Sequence, residues 1–161
     1  MRIEPITAEM AERYRKWIAQ LYYENVRSNA FCSHYTYEEA CEKIGSLIDH
    51  LKDDTAIVYG AFEDEELIAF IWAYVHQFRE DTRMYVSEIR VKGEYRKRGI
   101  GSQMLRLVED RARELGLSTI YLHAEANNPK AIGFYKAAGY CEERIQMRKE
   151  IQKGNQDASC I

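Results

Sequence analysis

Three cations stand directly before two closely spaced glycines in the stretch "EYRKRGIGSQML", residues 94–105: Arg96, Lys97 and Arg98, then Gly99 and Gly101. An apolar pattern of helical period begins at the same point. The first turn of a helix leaves backbone N–H groups unpaired and carries the positive end of the helix dipole. Glycines remove the Cβ atoms that would hold a phosphate away from those N–H groups, and the three basic side chains add charge around it. The stretch is therefore a candidate site for a phosphate or pyrophosphate, with a solvated basic loop as the bland alternative.

Two other phosphate motifs are excluded. The G-x-x-x-x-G-K-[ST] pattern of a P-loop occurs nowhere in the chain. A dinucleotide fingerprint needs a third glycine where Met104 stands, and belongs to the first strand of a parallel fold.

The elements that would position this stretch follow from the hydrophobic period. "RIEPI" alternates as a short strand, and Thr7 can cap a helix reaching about Val26, with Met10, Tyr14, Trp17, Ile18, Leu21 and Tyr22 on one face. Thr36 and Glu39 have capping-box spacing before a second helix whose face is Ala40, Ile44, Leu47, Ile48 and Leu51. "AIVYGAF" and "ELIAFIWAYV" read as a hairpin across the acidic turn Glu63 to Glu66, and "RMYVSEIRV" is a third strand leading into the basic stretch. Met104, Leu105, Val108, Ala112 and Leu115 continue the next helix to Gly116. "STIYLHAE" is another strand, "PKAIGFYKAA" a short helix opened by proline, and "YCEERIQMRKEI" a final strand. The tail, residues 151–161, is polar and expected to be loose. The order predicts a single α/β domain around a mixed sheet.

Composition narrows the partners. A chain of 161 residues, 46% hydrophobic and 30% charged, has the size of one globular domain with a real core. Its net charge of -3 gives no global attraction to nucleic acid or to an anionic membrane, so anion binding must be local. "RKR" also lacks the broad basic face with aromatic platforms that nucleic acid requires. The N-terminus has no apolar leader, and the longest apolar run, "LIAFIWAYV", is about half the length of a membrane-spanning helix. A cytoplasmic protein is the expectation. Cys32, Cys41, Cys141 and Cys160 are scattered, with no C-x-x-C pair and no histidine at ligand spacing, which reads as reduced thiols and no metal.

Two signatures together resemble the GNAT superfamily of N-acetyltransferases. The coenzyme A signature [R/Q]-x-x-G-x-[G/A] reads Arg96-Lys97-Arg98-Gly99-Ile100-Gly101 after "SEIRV". A second, N-x-x-A-x-x-F-Y-x-x-x-G-[F/Y], is matched by Asn128, Ala131, Phe134, Tyr135, Gly139 and Tyr140. The likeness is good over residues 57–150, while residues 1–56 match only in their pattern of elements. Two departures are Gly93, where the family commonly has proline, and Lys97, where it often has glycine.

The resemblance implies a mixed, mostly antiparallel sheet flanked by helices and splayed between its fourth and fifth strands. It implies one domain over 1–161: acceptor-side helices in 1–56, an acetyl-coenzyme A core in 57–150 and the tail. Arg96, Lys97, Arg98, Gly99, Ile100, Gly101 and Ser102 would hold the pyrophosphate of acetyl-coenzyme A, mainly through backbone N–H groups. The backbone of Ile89, Arg90 and Val91 would pair with the pantetheine arm, and Asn128 would help to hold the cosubstrate.

Transfer to an amine makes its own demands. The acceptor nitrogen attacks only when neutral, so a base must take its proton directly or through water, and a backbone N–H on "EIRV" could stabilise the developing oxyanion. The family motif puts Tyr135 beside the sulfur, where a phenol can protonate the leaving thiolate. Its alternative role is a core aromatic beside Phe134. Strand alternation puts Ser87, Ile89 and Val91 on one face and Val86, Glu88 and Arg90 on the other. That makes Glu88 the candidate base, against the alternative of a strand carboxylate paired with Arg90 or Arg83. Glu125 and His123 are reserves.

The acceptor is expected to be a primary amine of a small molecule, then a peptide or protein amino group. The first two helices supply Trp17, Tyr22, Tyr23, Phe31, Tyr35 and Tyr37 with Glu38, Glu39 and Glu42, a combination that suits a cation but equally a core and a solvated face. A non-catalytic acyl-coenzyme A sensor is the competing class. A homodimer, with the final strand at its interface, is an option the family leaves open.

Overall fold

The computed structural model describes residues 1–27, 34–147 and 149. The chain divides into two compact units, Met1–His123 and Ala124–Ile161.

The first unit is a five-stranded sheet in the order β1-β2-β3-β4-β5. β1 (Arg2–Pro5), β2 (Ala56–Glu63), β3 (Glu66–Phe78) and β4 (Asp81–Val91) pair antiparallel in succession, and β5 (Ile120–Leu122) runs parallel to β4. The β2–β3 hairpin closes where expected, with Asp64 in the left-handed conformation at φ 52°. Three helices follow β1: α1 (Ala8–Arg13), α2 (Arg15–Arg27) and α3 (Tyr37–Lys52). The fourth helix, α4 (Ile100–Glu114), joins β4 to β5 after a short 3-10 turn at Gly93–Tyr95. Among the described residues no helix is long and apolar enough to cross a membrane.

Several caps follow the sequence. The Thr7 hydroxyl accepts from Met10 N–H, and Thr36 and Glu39 form a reciprocal capping box on α3. The single helix expected from Thr7 to Val26 is instead two, broken at Tyr14 (φ −96°, ψ 7°). There the ring packs on Phe62 at 5.4 Å and the hydroxyl donates to the Glu65 carbonyl, so tertiary packing overrides a continuous helical pattern.

Strand alternation divides the core in two. Phe70 and Trp72 of β3 join Ile18, Ala19, Ile44 and Leu47 under α1–α3. Ala69, Ile71 and Ala73, also fully buried, take the opposite face, where α4 packs with Met104, Leu105 and Val108 buried. Each such large apolar side chain contributes about 1.5–3 kcal/mol, enough to fix which way α4 presents its first turn.

The strand read in "STIYLHAE" shortens to Ile120–Leu122. In the second unit α5 covers Pro129–Ala137, as expected. The final strand expected over 140–151 is not formed in residues 141–147, where Ile145 and Met147 are 80% and 86% exposed. β-rich composition makes a strand only where a partner strand takes up its backbone hydrogen bonds. Cys41 and Cys141 are free thiols. Phe31, Cys32, Cys160 and the tail lie outside the described residues.

Candidate active site

The basic stretch forms the mouth of α4. Gly99 is the N-cap residue, in the left-handed conformation at φ 79°, and no side chain caps the helix. A Cβ built on it would approach Gln103 Nε2 no closer than 3.9 Å, so the glycine answers a backbone requirement and leaves the approach open. Ile100 is buried and anchors the first turn, while Arg96, Lys97, Arg98 and Gly99 are exposed. Arg96 Nε donates to the Val91 carbonyl at 3.0 Å, and the Arg98 guanidinium lies 5.0 Å from the centre of the Tyr95 ring. Lys97 has a φ of 62°, a left-handed backbone that explains why glycine is the easier residue there. A glycine cap without a competing side chain, three cations and the uncapped N–H groups of Ile100, Gly101 and Ser102 fit a pyrophosphate.

β4 turns this mouth toward a strand edge. It pairs with β5 only through Met84↔Ile120, Tyr85↔Tyr121 and Val86↔Leu122. β5 stops at Leu122, so residues 87–91 of β4 have no β5 partner. Lys92 N–H donates to Ile68 O, which by antiparallel alternation turns the backbone groups of Ile89 and Val91 toward that edge. Two of these are engaged from within the chain: Ile89 N–H by the Glu88 carboxylate and Val91 O by Arg96.

A bulge corrects the predicted faces of β4. Trp72 pairs with Glu88 but Ala73 with Val86, so Ser87 is the extra residue. Val86, with Ala73, faces α4 and is buried at 3% exposure, whereas Glu88 and Arg90 face α1–α3 together with Tyr85. Strict alternation groups Val86 with Glu88 because it cannot register an inserted residue.

Glu88 is the most constrained ionisable group of this face. Its side chain is 10% exposed, and Oε1 meets Arg90 Nη2 at 2.8 Å. Burial pushes its carboxyl above the ordinary range, against the opposing pull of Arg90 and the Ile89 N–H. Arg83, the other partner considered, pairs with Asp81 at 2.9 Å. The Trp72 Nε1–H, across the ladder from Glu88, is buried with no hydrogen-bond partner among the described residues.

Around Glu88 lies an aromatic face only partly foreseen. Tyr85 meets Tyr74 at 5.2 Å, Tyr121 at 4.8 Å and His123 at 5.5 Å between ring centres. The Tyr85 hydroxyl and His123 Nδ1 are 3.2 Å apart, and the Tyr121 hydroxyl and His76 Nδ1 are 2.6 Å apart. Burial raises the phenols of Tyr22, Tyr74 and Tyr85, and Glu88 adds to the shift at Tyr22 and Tyr85. Tyr22 and Tyr35 stack edge to face at 6.2 Å, as do Tyr23 and Tyr37 at 5.9 Å. Glu39 is committed to its capping box. The missed residues, Tyr74, His76, Tyr85 and Tyr121, had a signal: "AYVHQ" and "IYLHAE" each carry polar aromatics at period two, and "RMYVS" adds Tyr85 on the strand that pairs with both.

In the second unit Asn128 caps α5, its side-chain oxygen accepting from Ala131 N–H at 3.1 Å. Tyr135 packs against Phe134 at 5.2 Å and Tyr140 at 5.9 Å, and Gly139 ends the helix at φ 91°.

Comparison with known proteins gives a consistent result. The family model described as "Acetyltransferase (GNAT) family" matches residues 12–140. An uncharacterized N-acetyltransferase of Bacillus subtilis, YdgE, is 23% identical over 152 residues, 92% of this chain and 97% of that protein. N-alpha-acetyltransferase 50 of Danio rerio is 29% identical over 94 residues, covering 58% of this chain and 55% of its own length. An acetyl transferase candidate from Pyrococcus furiosus superposes with a TM-score of 0.72 at 28% identity, over 93% of this chain and 99% of that one. An aminoglycoside acetyltransferase from an uncultured soil metagenomic sample, in complex with sisomicin, shares the fold at a TM-score of 0.70 and 17% identity, over 94% and 96%.

Proposed function

The chain belongs to the acetyltransferase (GNAT) family of acyl-transferring enzymes, and on that premise we propose that it carries the acetyl group of acetyl-coenzyme A to a primary amine of a small molecule, by direct attack within a ternary complex. The observation that carries this reading is the conjunction of the glycine-capped mouth of α4 with the edge of β4 released after Val86.

Arg96 to Ser102 bind the pyrophosphate through the N–H groups of the first turn, with the three basic side chains around it. The outward backbone of Ile89 and Val91, with Arg90 between them, orients the pantetheine arm. Because the Glu88 carboxylate already accepts from Ile89 N–H, that contact requires the carboxylate to shift. Asn128 spends its oxygen on the cap of α5 and keeps its amide N–H groups for the cosubstrate.

The cosubstrate supplies an acyl thioester, whose C–S bond breaks as the acceptor nitrogen bonds to the acetyl carbon. Glu88 takes the proton of the attacking amine through water, aided by burial that raises its basicity. Tyr135 gives its phenolic proton to the leaving sulfur.

Release of free coenzyme A thiol across amines, amino acids and short peptides tests the reading, with cosubstrate binding followed by calorimetry. Intersecting initial-rate lines are expected for a ternary complex, whereas parallel lines mean an acetyl-enzyme. Tyr135→Phe should lower turnover with a saturating acceptor; unchanged turnover removes Tyr135 from the chemistry. Tight cosubstrate binding without release from any amine would favour the sensor class, and preference for peptides would move the acceptor to a peptide or protein amino group.

A further inference from the structure

On the face of the sheet that carries Glu88, the chain supplies rings in abundance and no surplus of negative charge. Tyr22, Tyr74, Tyr85, Tyr121, His76 and His123 are linked by ring contacts, hydrogen bonds or electrostatic coupling, around the end of the β4–β5 ladder. On the transferase reading above, a thioester laid along the free edge of β4 would lie beside these rings.

The charges of the same face cancel. Glu88 is paired with Arg90 and Asp81 with Arg83. Among the described residues, Glu88 is the carboxylate that acts electrostatically on both Tyr22 and Tyr85. Lys43 adds a cation, its ammonium 5.2 Å from the Trp72 ring centre. A polycation entering here would lose hydration at each ammonium, while Glu88 and Asp81 already face arginines. A single ammonium beside an apolar group would find ring faces for both.

We infer that the acceptor is a monoamine bearing an aromatic or other apolar group next to its nitrogen, and not a polyamine or an aminoglycoside. The inference rests on the transferase reading above and narrows its substrate class. It also separates this chain from the aminoglycoside enzyme whose fold it shares.

The test compares phenethylamine and phenylalanine amide with spermidine and sisomicin as acceptors for the full chain, with acetyl-coenzyme A affinity measured by calorimetry in parallel. The monoamines should show a kcat/KM at least about tenfold higher, the scale of discrimination that an apolar pocket achieves. Tyr74→Leu should lower that value by roughly two- to tenfold for phenethylamine while leaving cosubstrate affinity unchanged. A preference for spermidine or sisomicin overturns the inference, as does bound acetyl-coenzyme A with no transfer to either monoamine. Failure to bind acetyl-coenzyme A overturns the transferase reading itself, and the inference falls with it.

Discussion

Replacing Arg90 by glutamine separates a catalytic Glu88 from a structural one. Arg90 Nη2 lies 2.8 Å from Glu88 Oε1, with side chains 26% and 10% exposed, so solvent screens the pair only weakly. Burial raises the Glu88 carboxyl, and Arg90 is the strongest group holding it down. An adjacent cation favours the ionised carboxylate, so Arg90→Gln should raise the Glu88 carboxyl further above the ordinary range. If Glu88 receives the amine proton, the acid limb of kcat/KM moves to higher pH in the variant. The acceptor's own ammonium contributes an identical limb in parent and variant, so the difference isolates the enzyme. Stability supplies the internal control. A carboxyl raised in the folded state contributes stability that is complete below its unfolded pKa and is lost as pH rises through the folded pKa. The variant should therefore be close to the parent at pH ~4 and fall below it by about 3 kcal/mol or less near neutrality, as read from urea midpoints. Glu88→Gln combined with Arg90→Gln should abolish that pH dependence. A stability penalty that grows with pH while the acid limb stays in place would refute the base assignment and leave Glu88 as a structural carboxylate.

Three other perturbations follow from local geometry. Lys97→Gly relieves a left-handed backbone at φ 62°, so the urea midpoint should rise by the equivalent of about 1 kcal/mol while acetyl-coenzyme A binding becomes less salt-dependent; no gain would refute the strain. Gly60→Ala would put a Cβ 2.7 Å from Ile6 Cδ1, 2.8 Å from Leu67 Cδ1 and 2.9 Å from Phe62 Cε2, and overpacking of about 1–3 kcal/mol should lower Tm. Thr36→Ala removes the α3 cap at a cost of about 1 kcal/mol. The Thr36 N–H and hydroxyl hold the Glu39 carboxyl below its usual range; alanine keeps the N–H and loses the hydroxyl, whose share of that contribution exists above the unfolded carboxylate pKa and is lost as pH falls through the folded one. The Thr36→Ala penalty should therefore shrink in acid, which urea titrations at two pH values would show.

The order of elements was legible because most of it rests on local signals. Caps at Thr7 and Thr36, the turn at Asp64, the proline that opens α5 and the left-handed Gly116 that ends α4 are each set by a few consecutive residues. The signature at the mouth of α4 was legible for the same reason. What escaped depends on distant partners: the break at Tyr14 answers Phe62 and Glu65, and β5 stops at Leu122 where its ladder with β4 ends. Residues 141–147 had strand composition but no strand.

The bulge at Ser87 shows how one such non-local feature builds a site. In a regular β4, Glu88 would share a face with Val86 and stand opposite Tyr85. One inserted residue instead lets Val86 fill the core under α4 while Glu88 and Tyr85 meet on the other face, beside Tyr74. It also lies at the first residue beyond the β4–β5 ladder, where backbone groups of β4 become available to a ligand. The side chains proposed to handle the amine and the edge proposed to hold the thioester are thus arranged by the same irregularity. Bulges of this kind redirect side chains and end pairing together. Deleting Ser87 should therefore disturb transfer more than any single replacement at 85–91, since it would turn Glu88 toward α4 or Val86 out of the core.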